Sequence, residues 1–164
     1  MSTLSQYRRL AGLLAREAAA VYGDRLVSVV VYGSVARGVP TPDSDLDLLV
    51  VADGLPSGRI AQLREFKPVE ERLGPALKEM AAEGIRPFVS PVFKTREQVE
   101  YGSPLFLDMT LHADILFDRG GFFAARLDRL RARLTELGSK RVPCRGGYYW
   151  VLKPDLKPGE VIEL

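Results

Sequence analysis

The pattern of hydrophobic and polar positions along the chain predicts helices that alternate with strands. Between Leu4 and Val21, apolar residues recur every three or four positions, which is typical of an amphipathic helix, and Gly23 follows as a stop. Two mostly apolar runs come next, over 25–32 and 46–51, and both contain β-branched residues, which favours strands. This alternation indicates an α/β or α+β domain with a small mixed β-sheet and helices packed against it.

The middle of the chain continues the alternation with more interruptions. Residues 57–83 have helical composition, but Pro68 and Pro75 cannot both lie inside one uninterrupted helix. We therefore predict a break near Pro68 and a kink or restart at Gly74-Pro75. A third strand is predicted over 85–94, and its prolines suggest that part of it lies at a sheet edge.

The last third of the chain shows helix and strand signals of its own. Thr95 followed by Gln98 is a capping-box pattern that begins a helix, interrupted by a Gly-Ser-Pro sequence and resumed through Met109. A short strand over 113–117 and a long helix over 122–137 follow. The remaining tail is rich in glycine, proline and aromatic residues, and we expect it to be extended.

Length and composition narrow the class of protein. A chain of 164 residues is one domain by size, and we expect a core over about 1–118 with a C-terminal helix and tail over about 119–164. No apolar run approaches the length that spans a bilayer, and no signal peptide is recognisable, so we expect a cytoplasmic protein without membrane contact. The absence of asparagine and the scarcity of glutamine favour a thermophilic source.

The candidate chemistry lies between the first two predicted strands. Asp45 and Asp47 open the second strand, and because side chains alternate along a strand, the two carboxylates share a face about 6 to 7 Å apart. Like charges at that spacing repel by about 2 to 3 kcal/mol at an effective dielectric near 20. A divalent cation between the two carboxylates turns this repulsion into net attraction. Mg²⁺ is typically held by one or two carboxylates plus phosphate oxygens. The pair is interpreted as part of a metal site.

The turn before these acids supplies groups that suit an anion. Gly33 lets the backbone approach a ligand closely, and Ser34 is predicted to cap a short helix that continues through Arg37. Free N–H groups at such a helix start would face a phosphate.

The segment Gly33-Ser34-x-x-Arg37-Gly38, followed by Ser44-Asp45-x-Asp47, resembles the signature of the nucleotidyltransferase superfamily. That superfamily includes DNA polymerase beta and the minimal nucleotidyltransferases. The resemblance implies transfer of a nucleoside monophosphate from a nucleoside triphosphate to an acceptor hydroxyl, with Mg²⁺ or Mn²⁺ as cofactor. It implies Asp45 and Asp47 as catalytic metal ligands, and Gly33, Ser34, Arg37 and Ser44 as nucleotide-binding residues.

The third carboxylate of a two-metal site is not evident. In the family it lies on the strand after the two acids, but the predicted strand over 85–94 contains no acid. Asp114, which opens the next strand, is the first substitute by position, and Asp108 is the second. Without a third acid, the alternative is an antitoxin-like or catalytically degenerate module that binds nucleotide.

The acceptor is open at this stage: a small molecule, an RNA end and a protein side chain all fit, and the family's smallest members pair with a helical partner protein. Seven basic residues, Arg141 among them, lie between positions 126 and 145, and Arg126, Arg129 and Arg133 share a face of the last predicted helix. Either this face is solvated or it is a patch for nucleic acid or an acidic partner. Nearby, Tyr148 and Trp150 either stack on bases or pack in the core.

Overall fold

The structure, a computed structural model, describes every residue from Met1 to Leu164. Six helices and six strands follow one another along the chain. The helices are α1 (Thr3–Tyr22), α2 (Gly33–Ala36), α3 (Arg59–Ala82), α4 (Arg96–Tyr101), α5 (Leu105–Met109) and α6 (Phe122–Leu137). The strands are β1 (Leu26–Val31), β2 (Asp45–Ala52), β3 (Phe88–Lys94), β4 (Asp114–Asp118), β5 (Lys140–Cys144) and β6 (Gly147–Val151).

The first four strands form one mixed sheet in the order β3-β2-β1-β4. Strand β1 is antiparallel to β2 and β4, whereas β2 is parallel to β3. The two central strands are almost entirely buried, which explains why their sequences are continuously apolar rather than alternating. The mixed sheet with packed helices is the fold class that the sequence predicts, and β3 lies at an edge, as its prolines suggest.

Each face of this sheet carries its own hydrophobic core. The first core packs α1 and α3 against side chains such as Leu46 and Leu48 of β2. The second core packs α4, α5 and α6 against the opposite face, which includes Leu49 and Val51. Successive residues of β2 therefore point into different cores, as the two-residue period of a strand requires. This arrangement decides which way the acids at the start of β2 can point.

The predicted break in the third helix is wrong. Helix α3 runs without interruption through both Pro68 and Pro75. Each proline removes one backbone hydrogen bond, but both rings are exposed and displace no core side chain. Phe66 and Leu73, on the opposite side of the helix, are buried in the first core. Tertiary packing of this face outweighs the local cost of the prolines, which the sequence pattern alone does not reveal.

The C-terminal tail contains more structure than the sequence predicts. Strands β5 and β6 pair as an antiparallel hairpin, in register from Lys140 opposite Val151 to Cys144 opposite Gly147. The two-residue loop that joins them includes Gly146, whose φ of 87° is readily adopted only by glycine. Only the residues after this hairpin lack regular pairing.

The basic face of α6 makes its contacts within the chain. The guanidinium of Arg126 is buried and donates to the carbonyl oxygens of Val99 and Leu164. Arg129 pairs with Glu100 at 2.7 Å, and Arg133 donates to the Glu163 carbonyl oxygen at 3.0 Å. The face therefore joins α4 and the C-terminal residues to α6 and is not an open basic patch.

Local signals predicted several element boundaries correctly. The Thr95 hydroxyl accepts from the Gln98 N–H while the Gln98 side chain accepts from the Thr95 N–H, so the capping box is confirmed. Gly138 ends α6 in the left-handed conformation.

No helix in the structure combines the length and the apolar character needed to cross a membrane.

Candidate active site

The two acids predicted as metal ligands lie where the ends of three strands meet. Asp45 and Asp47 open β2, and the Tyr32 N–H just after β1 donates to the Asp47 carbonyl oxygen at 3.1 Å. On the other side, β3 places Ser90 directly opposite Asp47. Both acids share a face with Leu49 of the second core, so the structure brings the two carboxylates to one side of the sheet.

The two carboxylates have no cationic partner in the chain. The ion pairs of the protein all involve other residues. Asp45 is exposed, whereas Asp47 is half-buried. Burial raises the pKa of Asp47, the charge of Asp45 raises it further, and Arg37 offsets part of the effect. The site therefore holds negative charge that the folded protein does not neutralise by itself.

The backbone of Gly33 packs directly against one of these carboxylates. Its φ is 71°, and a Cβ placed on it would lie 2.2 Å from Asp47 Oδ2 and 3.1 Å from Asp47 Cγ. Only glycine combines that backbone conformation with that close approach. The turn after β1 and the second acid of β2 thus form one packed unit.

The other residues predicted to bind nucleotide differ in their surroundings. Ser34 is not the N-cap of α2 as predicted, because the helix begins at Gly33 and Tyr32 occupies the cap position. Arg37 lies at the end of this short helix and lines a cavity together with Asp47. The Ser44 hydroxyl accepts from the Thr41 N–H at 2.8 Å, so it already closes a turn in the loop before β2.

The candidate third acids are not placed beside the pair. Asp114 is opposite Val31 in the β1–β4 ladder and lines a surface cavity with Arg8, on the sheet face that α1 covers. Because partners in a ladder share a face, its carboxylate is on the opposite side of the sheet from Asp45 and Asp47. No group of three histidine, cysteine, aspartate or glutamate side chains is arranged to hold a metal ion.

Asp108 lines the same cavity as Asp47, and both of its carboxylate oxygens accept hydrogen bonds. It accepts a hydrogen bond from the Tyr148 hydroxyl at 2.8 Å and another from Trp150 Nε1 at 3.0 Å. These bonds connect α5 to the C-terminal hairpin. The strand position next to Asp47 is Ser90, on β3, the strand on which the family resemblance implies a third acid.

The cavity beside Asp47 has a volume of about 240 Å³ and draws its walls from distant parts of the chain. The residues that line it are Tyr32, Gly33, Arg37, Asp47, Leu105, Asp108, His112, Arg141 and Tyr148. One wall is the predicted motif, whereas the other comes from α5 and the hairpin. The sequence pattern missed the second wall, because Arg141 and Tyr148 stood out only as members of a basic and an aromatic cluster.

The residues present fit a hard divalent cation. Two carboxylates without basic partners offer oxygen ligands, and Mg²⁺ commonly completes such a set with substrate phosphates and water. The pKa of Asp47 is raised mainly by burial and further by the charge of Asp45, and a bound cation would favour the charged form of the carboxylate.

Comparison with known proteins agrees with the motif. The family described as "Nucleotidyltransferase domain" matches residues 16–96, which extend from within α1 to the start of α4. A curated relative, "Putative protein adenylyltransferase MJ1305" of Methanocaldococcus jannaschii, is 30% identical over 112 residues. That alignment covers 67% of this chain and 71% of the relative.

Solved structures with similar architecture are more distant. One, a toxin–antitoxin structure with AMP-PNP, has a TM-score of 0.45 at 15% identity, and the match covers 84% of this chain and 94% of that one. Another contains a tri-AMPylated Shewanella oneidensis HEPN toxin in complex with an MNT antitoxin. Its TM-score is 0.39 at 14% identity, with 82% of this chain and 91% of that one covered.

The contact between Gly33 and Asp47 predicts the effect of a single methyl group. Gly33→Ala should lower the free energy of unfolding by about 2 to 4 kcal/mol, since it adds a clash to the cost of a left-handed backbone. Gly138→Ala is the matched control, because Gly138 has a φ of 68° in the left-handed region but open space around its Cβ position. The control variant should lower the free energy of unfolding, measured with urea, by only about 1 to 2 kcal/mol. Equal losses in the two variants would contradict the close contact.

The charge of Asp47 predicts a stability effect with a defined pH dependence. Because its pKa is raised in the folded state, its contribution to stability is full below the ordinary value of 3.8 and is lost as the pH rises through the raised pKa. In EDTA at pH 7, the free energy of unfolding of Asp47→Asn should therefore equal that of wild type or exceed it by up to about 1 kcal/mol. The difference should shrink on acidification towards pH 3.8.

A surface acid provides the control for this measurement. Asp128 forms an exposed ion pair with Arg131 at 2.8 Å, so Asp128→Asn should leave stability at pH 7 unchanged or slightly lower. Chemical unfolding of all three proteins across the pH range gives the comparison. If Asp47→Asn unfolds more easily than wild type at pH 7 in EDTA, its carboxylate is part of the structural framework.

Proposed function

Because the chain belongs to the family of proteins with a nucleotidyltransferase domain, we propose that it transfers a nucleoside monophosphate from a nucleoside triphosphate to an acceptor hydroxyl. One observation carries the proposal: the Asp47 carboxylate, which has no cationic partner, packs against the Gly33 turn in the wall of a cavity, and Asp45 lies on the same face of β2. Such a wall suits a triphosphate with its metal, since the turn admits close approach and the acids accept a cation.

In this proposal Asp45 and Asp47 hold the divalent ion. When bound, Mg²⁺ or Mn²⁺ neutralises phosphate charge and polarises the reacting phosphoryl group. The Gly33 turn leaves room for the triphosphate, and Arg37 donates hydrogen bonds to it with a charge of the right sign. The acceptor oxygen forms a bond to the α-phosphorus, the bond to pyrophosphate breaks, and the hydroxyl proton is released. The protein contributes mainly positioning and preorganised charge.

We propose ATP as the donor and a protein hydroxyl as the acceptor. The support is the name of the M. jannaschii relative, which describes a protein adenylyltransferase. A helical partner protein is the acceptor that the family resemblance implies.

A second candidate function is nucleotide binding without efficient transfer. It is favoured by Ser90, which occupies the position next to Asp47 where a third carboxylate would complete a two-metal set. With two acids alone, one ion and a nucleotide could bind while the attacking hydroxyl remains poorly activated.

The primary test is nucleotide binding and transfer under matched conditions. Calorimetry should show ATP binding with Mg²⁺ that is much weaker in EDTA, and ATP labelled at the α-phosphorus should label a co-purifying protein. Asp45→Asn and Asp47→Asn should each lower the transfer rate at least about a hundredfold. Asp114→Asn, which alters an acid on the opposite sheet face, should bind and transfer like wild type.

Two results would overturn this assignment. Equal ATP affinity in EDTA and in Mg²⁺ would remove the metal from the proposal. Loss of activity in Asp114→Asn, with activity retained in Asp45→Asn and Asp47→Asn, would move the site to the other face of the sheet. Binding that depends on Mg²⁺ without transfer to any protein, RNA or small-molecule acceptor would favour the second candidate function.

The position of Ser90 predicts a gain of metal affinity. Ser90→Asp adds a third carboxylate opposite Asp47, so it should raise Mn²⁺ affinity about tenfold and lower the stability of the metal-free protein by added repulsion. Ser90→Asn is the control of similar size without the charge and should do neither. Titration with Mn²⁺, followed by thermal unfolding, measures both effects. Unchanged Mn²⁺ affinity in Ser90→Asp would show that Ser90 is not directed at the site.

A further inference from the structure

The C-terminal hairpin forms a wall of the candidate site although it lies outside the part of the chain that matches the family. The matching residues end at 96, whereas β5 and β6 span 140–151. Arg141 of β5 and Tyr148 of β6 nevertheless line the same cavity as Gly33 and Asp47. The hairpin therefore adds groups to the site that the matching segment alone does not contain.

The guanidinium of Arg141 is held in place without being neutralised. It stacks on the Tyr148 ring, with 3.9 Å between the guanidinium carbon and the ring centroid. Arg141 is absent from the ion pairs of the chain, and so is Arg37. Stacking on an aromatic face leaves the five N–H donors at the edge of the guanidinium free to reach a ligand.

The hairpin is attached at a defined position by Asp108. The two hydrogen bonds that this carboxylate accepts, from Tyr148 and Trp150, connect β6 to α5. Trp150 also packs against the second hydrophobic core. The ring on which Arg141 stacks is thus anchored at its hydroxyl, and Asp108 is a positioning residue for the hairpin.

Charge in the cavity is arranged in two parts. The acidic part is Asp47, which lines the cavity, with Asp45 on the same face of β2. The basic part is Arg37 of the motif wall and Arg141 of the hairpin wall, both of which line the same cavity. A nucleotide bound with its metal needs both parts, because the ion neutralises only some of the negative charges of a triphosphate. Guanidinium groups bind the remaining phosphate oxygens through paired N–H donors.

We propose that Arg141, together with Arg37, binds the polyphosphate of the nucleotide, so that the C-terminal hairpin completes the triphosphate site. This inference rests on the function proposed above and adds to it a residue that the family motif does not supply. Arg141 covers one face of the Tyr148 ring, so a nucleobase cannot stack on that face.

The test compares three ligands by calorimetry in Mg²⁺: ATP, AMP and inorganic tripolyphosphate. Arg141→Gln should lower the affinity for ATP and for tripolyphosphate about tenfold or more, as expected for a lost hydrogen bond to a charged group. AMP should bind within about twofold of its wild-type affinity. The matched control is Arg145→Gln, in the loop of the same hairpin, which does not line the cavity and should behave as wild type.

The outcomes separate this inference from the proposed function. If wild type binds ATP with Mg²⁺ and Arg141→Gln binds it equally well, the hairpin is not part of the triphosphate site, while the function stands. If Arg141→Gln weakens AMP as much as ATP, the contact is to the nucleoside end and the inference is wrong. If Arg145→Gln weakens ATP as much as Arg141→Gln, the effect is general surface charge and the inference is again wrong. If wild type binds neither ATP nor tripolyphosphate, both proposals fail together.

Discussion

The register of β2 between its two neighbours is the constraint on which the candidate site depends. Leu46 and Leu48 are fully buried in the first core, so the residues that alternate with them must face the other side. That alternation directs Asp45 and Asp47 to the side of the cavity. A slip of one residue would place both acids in the first core and remove Leu46 and Leu48 from it, at a cost of several kcal/mol. The core therefore positions the acids without contacting their carboxylates.

Exposure along β2 changes in steps from solvent to core. Asp45 is exposed, Asp47 is half-buried, and Leu49, the next residue on that face, is fully buried. The pKa of Asp47 is raised, because burial has removed hydration from its carboxylate and no cationic partner forms an ion pair with it. The backbone of Gly33 packs against this carboxylate and adds no positive charge. The fold thus maintains an unfavourable charge arrangement at the point where the sheet opens to solvent, which is common at functional sites.

How far the sequence predicts the molecule depends on the range of the interactions involved. Elements determined by local signals were predicted closely: the Thr95 capping box, the Gly138 stop and the acidic start of β2 all agree with the structure. The prediction failed at α3, where buried Phe66 and Leu73 hold together a helix that Pro68 and Pro75 would otherwise interrupt. Local propensity is a weak guide wherever a buried face supplies most of the stability.

The candidate site also contains residues that are close together in sequence and residues that only the fold brings together. Gly33, Arg37, Asp45 and Asp47 lie within one short segment, so their spacing alone indicates a phosphate-and-metal site. Arg141 and Tyr148 reach the cavity only because the hairpin is bound to α5 through Asp108. No spacing rule links residue 108 with residue 148, so the sequence leaves Asp108 available as a metal ligand while the structure commits it to two hydrogen bonds. Arg37 of the motif wall and Arg141 of the hairpin wall are the arginines of the cavity, and neither forms an ion pair, so both can balance the charge of an anionic ligand.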